Sequence, residues 1–205
     1  MAKTQAPLQA LNDYLPDRAF PYVVEYLQVY KVHLTITRER KSVLGDYRNA
    51  VNNQNHRISV NGNLNAYAFL ITLLHELAHL LTYDRYGHRV APHGKEWKQQ
   101  YRLIIAKFIE QDIFPQDIKE TLLQSISNPA ASSCADEDLI RVLRKYDKRP
   151  PGVVLVEDVP MGQSFMIPGG RVFIKEAKLR KRYRCVEKLT GKSYLFSPVY
   201  EVKLI

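Results

Sequence analysis

Cysteine is scarce in this chain: only Cys134 and Cys185 occur, far apart and in no CxxC pair. Neither a disulfide framework nor a cysteine-ligated zinc site can be built from them, and a reducing cytoplasmic compartment is expected. Residues 1–11 lack the apolar core of a secretory signal, and the longest apolar run, residues 66–81, is broken by His75, Glu76 and His79. No leader and no membrane span is therefore expected. Internal repeats and low-complexity tracts are also missing, which sets aside solenoid and disordered architectures.

What is present is an ordinary globular composition, with 45% hydrophobic and 25% charged residues over 205 positions. That length supports one domain, alone or with a small appendage, and a core that needs no staples. The net charge of +9 is unevenly placed. Residues 1–140 hold 15 basic and 15 acidic residues, whereas residues 141–205 hold 15 basic against 6 acidic. Two functional parts follow, and any attraction to a polyanion belongs to the second.

Residues 12–30 read as a first helix, with Leu15, Ala19, Val23, Tyr26, Leu27 and Tyr30 near the helical period, and Pro16 and Pro21 set its start near one or the other of them. Val32, Leu34 and Ile36 alternate with polar residues as a half-buried strand does, and residues 42–48 and 57–60 supply two further short strands. After the breaker Asn61-Gly62-Asn63, Asn65 or Asn63 caps a long helix over 66–83 that is apolar on nearly every side. Such a helix belongs in the middle of a domain, where its few polar residues are costly unless satisfied.

A third helix starts near Lys95 with Trp97, Tyr101, Ile104, Ile105 and Phe108 on one stripe, and a short helix over 115–126 closes the first domain. Residues 127–152 read as a linker with a short helix over 138–146. From Val153 the pattern changes to strands over 153–156, 165–167, 171–174, 181–187 and 194–204, with turns at Gly169-Gly170 and Thr190-Gly191-Lys192. The expected organisation is an α+β domain over 1–126, the linker, and a small basic β module over 153–205.

His75-Glu76-Leu77-Ala78-His79 is an HExxH sequence. Residues four apart share one helix face, so two imidazoles can meet a single ion while Glu76 projects beside it. The remaining residues of the helix are large and apolar, and a shared metal is the simplest reason to bury two imidazoles and a carboxylate among them. Catalytic zinc takes three protein ligands and a water. His93, His88, Glu96 and Asp84 are the candidates for the third. His93 is favoured, because an imidazole at the start of the next helix reaches the ion from a second direction. The HExxHxxGxxH arrangement is excluded, since Arg85 stands where its third histidine would.

The pairing of Leu74-His75-Glu76-Leu77-Ala78-His79 with the downstream His93-Gly94-Lys95-Glu96-Trp97 resembles the SprT-like zinc metalloproteases. The upstream Leu44-Gly45-Asp46-Tyr47-Arg48 and Arg57-Ile58-Ser59-Val60 look like that family's strands before its catalytic helix, and the likeness covers roughly residues 12–110. The resemblance implies a zincin-like domain, one zinc held by His75, His79 and His93, Glu76 as general base, and hydrolysis of peptide bonds in proteins, DNA-associated ones among them. The departure lies at the C-terminus. Many bacterial relatives end in a zinc ribbon with paired cysteines, while Cys185 here stands alone. The analogue would be a ribbon-like hairpin without its metal.

Lys175, Lys178, Arg180, Lys181, Arg182 and Arg184 crowd into ten residues, with Tyr183 among them and Tyr194, Phe196 and Tyr200 downstream. Cations pair with phosphates and flat rings stack on unpaired bases, so these residues form a candidate DNA-binding surface; a solvated strand face is the plain alternative. Two functions follow. One is a zinc metallopeptidase, and the other is a non-catalytic nucleic-acid or transcription-associated binding protein with a vestigial metal site.

Overall fold

The computed structural model describes residues 8–40, 43–51, 54–126, 136–148 and 150–205. It separates into two compact units, Met1–Asp147 and Lys148–Ile205.

In the first unit a 3-10 segment, Leu8–Tyr14, precedes helix α1, Ala19–Val29. The helix expected within 12–30 thus starts between Pro16 and Pro21, as anticipated, and residues 12–14 belong to the separate 3-10 segment. Pro16 accepts from Ala19 N through its carbonyl, and Arg18 takes a left-handed backbone (φ 68°) at the entry to α1. Three strands follow: β1, His33–Thr37; β2, Gly45–Arg48; and β3, Arg57–Asn61. The sheet order is β1-β3-β2, with β1 parallel and β2 antiparallel to β3, so β2 is an edge strand.

Helix α2, Ala66–Tyr86, starts where the Asn65 side chain accepts a hydrogen bond from Ala68 N, and ends at Gly87, whose φ of 63° suits a residue without a Cβ. By length and composition α2 could cross a membrane, yet most of it lies inside the protein's own core. Phe69, Leu70, Leu73, Leu74 and Leu77 are fully buried. Each contributes about 1.5–3 kcal/mol relative to exposure, which makes α2 the axis of the unit. Helix α3, Lys95–Glu110, runs back along α2, so that Trp97 and Tyr101 pack on the ring of His75. Helix α4, Gln116–Ser125, follows.

Helix α5, Glu137–Arg144, does not behave as part of a linker. Leu139 and Leu143 join the first core, Tyr146 Oη donates to Asp117 on α4 at 2.7 Å, and Asn65 Nδ2 donates to the Leu143 carbonyl. The stripe of Leu139 and Leu143, four apart, makes the helix amphipathic, and amphipathic helices bury their apolar face against the nearest core. The expected linker start at 127–135, with Cys134, lies outside the described residues.

The second unit is a six-stranded antiparallel sheet in the order β4-β9-β5-β6-β7-β8. Its strands are β4, Val153–Leu155; β5, Ser164–Met166; β6, Val172–Lys178; β7, Tyr183–Glu187; β8, Ser193–Phe196; and β9, Glu201–Leu204. The run expected as one strand over 194–204 is two, because Pro198 cannot donate to a ladder and the chain turns there. Gly169-Gly170 and Gly191 occupy turns at positive φ, as their sequence pattern predicts. Phe165, Phe173, Tyr183, Cys185, Phe196 and Val202 form an independent core. Burial raises the Cys185 thiol to about 11, so it stays a neutral packing group.

Candidate metal centre

His75 and His79 lie one turn apart on α2, and the turn before α3 brings His93 to them. The Nε2 atom of His93 is 3.2 Å from that of His75 and 2.9 Å from that of His79. Among the described residues these three form the one group of His, Cys, Asp or Glu side chains close enough to hold a metal ion. His93 reaches them through an unusual backbone: Gly94 N donates to Ala91 O, Pro92 takes the second turn position, and His93 the third, at φ 59°. That left-handed position favours glycine, and a histidine there stores roughly 1 kcal/mol or more of strain, a pattern found at functional sites.

Trp97, fully buried, packs on all three imidazoles at centroid distances of 4.7, 5.3 and 4.7 Å, and Tyr101 stacks on the indole at 5.0 Å. Its stripe position marked it as core, and it is also the floor of the cluster. Burial, followed by the neighbouring imidazoles, lowers His75 to about 3; His79 falls to about 4 through burial and His93, and His93 is lowered by burial. All three rings are therefore neutral at pH 7, as ligands must be.

Glu76, next to His75 in the same turn, is buried. Burial, with Asp46 adding, raises its carboxyl to about 8, while Arg40 opposes the shift. Gly45 of β2 lies directly against it: a Cβ there would stand 2.6 Å from Glu76 Oε1 and 2.8 Å from Thr72 Cγ2. Two residues on, Tyr47 lays its ring parallel to that of His79, with centroids 6.4 Å apart. Ala50 N donates to His56 Nδ1 at 3.2 Å, which makes that nitrogen an acceptor, so the Tyr47 hydroxyl, 3.0 Å away, donates to it as well. Beyond His56 opens a cavity of about 350 Å³ lined in part by Tyr30, Lys31, Asn55 and Asp84.

Of the other third-ligand candidates, His88 packs its ring on Tyr83, Glu96 lies beside Lys95 at 3.8 Å, and Asp84 lines the cavity. Sequence reasoning assigned no role to His56, and took Tyr47 and Gly45 only as parts of a strand. The one signal available was their place in the Leu44–Arg48 motif, since contacts between β2 and α2 leave no periodicity.

The six basic residues singled out between 175 and 184 divide. Lys178, Arg180, Lys181, Arg182 and Arg184 are exposed around the turn between β6 and β7, which is closed by Leu179 N donating to Arg182 O. Lys175 is a correction. It is 2% exposed, its Nζ donates to the carbonyls of Glu157 and Val159 at 2.9 and 2.6 Å, and it sits 4.0 Å over the Tyr183 ring. Strand alternation turns residue 175 inward with Phe173, away from any external ligand.

Fold and site together define an α+β protein in which two histidines of the buried central helix and one from the turn before α3 form a group able to hold a metal ion. A model of the SprT-like family matches residues 11–120, more than half of the chain, and the chain belongs to the SprT-like family. Two curated relatives named Protein SprT, from Pectobacterium carotovorum and Pectobacterium atrosepticum, are each 79% identical to it over 24 residues. That stretch covers 12% of this chain and 14% of each relative, a small part of their length. No solved structure matches the chain.

Proposed function

We propose that the first unit is a zinc-dependent metallopeptidase of zincin-like build that hydrolyses peptide bonds of protein substrates. The observation that carries this reading is the convergence of three neutral imidazole nitrogens beside the buried carboxyl of Glu76. Hydrogen bonds among three Nε2 atoms cannot match each lone pair with a proton of its own, whereas a cation satisfies all three lone pairs at once. Tetrahedral zinc with nitrogens at about 2.0–2.1 Å sets its ligands about 3.3 Å apart, and the observed 3.2 and 2.9 Å separations fit that spacing.

His75, His79 and His93 would hold one zinc per chain, and the ion supplies Lewis acidity toward a water and toward the carbonyl oxygen of the scissile amide. Glu76 takes the proton of the attacking water at its carboxylate and passes it to the leaving amine nitrogen. With a divalent cation held by the three histidines, Glu76 would favour the ionised carboxylate that this role needs, against the burial that otherwise keeps it protonated. Trp97 and Tyr101 exclude water behind the imidazoles and fix their planes.

Metal analysis beside a cleavage assay tests the reading. One zinc per parent chain, retained in Glu76→Gln with cleavage lowered by about 100-fold or more, is the expected result. Equal cleavage by that variant removes Glu76 as the base, and unchanged zinc content in His93→Ala removes the ligand set.

The exposed cations around the turn between β6 and β7 favour a second reading for the second unit, contact with nucleic acid. Tyr183 and Phe196 are buried beneath the sheet surface, so the contact would be to phosphates and not to bases stacked on those rings. This reading holds whether the first unit hydrolyses DNA-associated proteins or keeps only a vestigial metal site. It predicts duplex DNA affinity that falls steeply with salt and weakens further in Arg182→Glu. Binding indifferent to salt, or absent, overturns it.

A further inference from the structure

Three buried side-chain polar atoms lack a hydrogen-bond partner among the described residues: Trp97 Nε1 and Gln100 Nε2 on α3, and Thr72 Oγ1 on α2. A buried hydroxyl left unpaired destabilises a fold, and on a helix a local bond usually removes the penalty. Thr82 shows that bond on the same helix, its hydroxyl donating to the Ala78 carbonyl one turn back at 2.7 Å. Thr72 makes no such bond.

What distinguishes Thr72 is its neighbour. It stands four residues before Glu76, so the two side chains share a helix face. Both close on one point over Gly45: a Cβ built there would stand 2.6 Å from Glu76 Oε1 and 2.8 Å from Thr72 Cγ2. The Thr72 methyl and the carboxyl oxygen therefore border the same spot. One staggered step about χ1 puts the hydroxyl where the methyl is and turns the unpaired donor toward Oε1.

We propose that Thr72 is a positioning residue for Glu76: its hydroxyl donates to Oε1, the carboxyl oxygen bordered by β2, and leaves Oε2 to take the proton of the attacking water. The inference rests on the peptidase reading and gives the orphaned donor a partner that the reaction uses. Oε1 keeps a free lone pair whether Oε2 is bare or protonated, so a single bond holds the carboxyl plane through uptake and release of the proton. A base that swings loses rate and not substrate affinity, which places the role in kcat.

Thr72→Val and Thr72→Ser separate this role from a structural one. Valine keeps the shape and removes an unpaired donor, so chelated Thr72→Val should melt no lower than the parent. Serine keeps the hydroxyl and removes the methyl beside Gly45, so chelated Thr72→Ser should melt lower. In the zinc-loaded full chain the order reverses. Thr72→Val is expected to lose about tenfold or more in kcat with KM and zinc content unchanged, and Thr72→Ser to stay within about threefold of the parent. A crystal structure of the zinc-loaded parent should place Thr72 Oγ1 about 2.7 Å from Glu76 Oε1. Parent-like kcat in Thr72→Val, or a kcat that follows the melting temperature in both variants, overturns the positioning role and leaves the peptidase reading standing. A parent that cleaves no protein removes the peptidase reading, and the bond is then judged on the crystal structure alone: Oγ1 at about 2.7 Å supports it, and Oγ1 beyond about 3.5 Å overturns it as well.

Discussion

Gly45 and Glu76 are in direct contact across the β2–α2 boundary, and the contact exists because residue 45 has no side chain: a Cβ there would stand 2.6 Å from Glu76 Oε1. The Glu76 carboxyl is thus bordered by a strand far from it in sequence.

Gly45→Ala must displace either the strand or the carboxylate. Misplacing a catalytic group by about 1 Å can cost about 100-fold in rate. The variant is expected to keep its metal and lose turnover on this scale, measured as kcat beside zinc content. Parent-like turnover would mean that β2 does not set the position of Glu76.

In the proposed zinc site His93 would couple backbone strain to ligation. His93→Ala removes an imidazole while leaving a Cβ at φ 59°. His93→Gly removes both, and relief of roughly 1 kcal/mol of left-handed strain offsets the larger chain entropy of glycine. Zinc affinity should fall more than about 100-fold in both variants, beyond what loss of an outer hydrogen-bond partner causes. Metal-free His93→Gly should melt no lower than metal-free His93→Ala.

The metal-free protein should lose stability on acidification. His75 and His79 are lowered in the fold to about 3 and about 4, below the ordinary 6.5 they regain on unfolding. Below about pH 6.5 the unfolded chain therefore binds protons that the fold refuses. Stability from this source is complete above that pH and is lost progressively toward pH 4. Glu76, raised to about 8, takes up its proton in the fold first and opposes this loss between pH 8 and 4.5. Thermal melts of chelated Glu76→Gln protein across pH 8 to 4 therefore measure the histidine effect, and adding His79→Gln should flatten the decline.

Lys175 is a structural cation in the second unit. Replacing it with Met leaves the Glu157 and Val159 carbonyls without its Nζ and should destabilise the unit by about 2–4 kcal/mol, while Lys181→Ala, at an exposed position, should change stability by less than about 0.5 kcal/mol. Denaturant unfolding followed by exchange within residues 153–205 separates the two.

Much of the element order was legible in the sequence. The strand alternation at Val32, Leu34 and Ile36, the apolar run of α2 and the stripe from Trp97 to Phe108 each carry their own period, and each appears as expected. The start of the first helix depended on how a proline-containing entry resolved, and the split between β8 and β9 on where Pro198 ended a ladder. Helix α5 was visible as a helix. Its attachment to α4 and Asn65 was not, because docking depends on a face formed by distant segments.

The sequence by itself determined the His75–Glu76–His79 face, because four-residue spacing on a helix is local geometry that no tertiary context can alter. It also excluded a cysteine metal site and located the basic excess. Only the tertiary structure decided which of four candidates joined the two imidazoles, that Gly45 and Tyr47 border them, and that Lys175 turns inward. Those relations lie between segments far apart in the chain, and their partners are set by how helices and strands fold back on one another, which leaves no periodic trace in the order of residues.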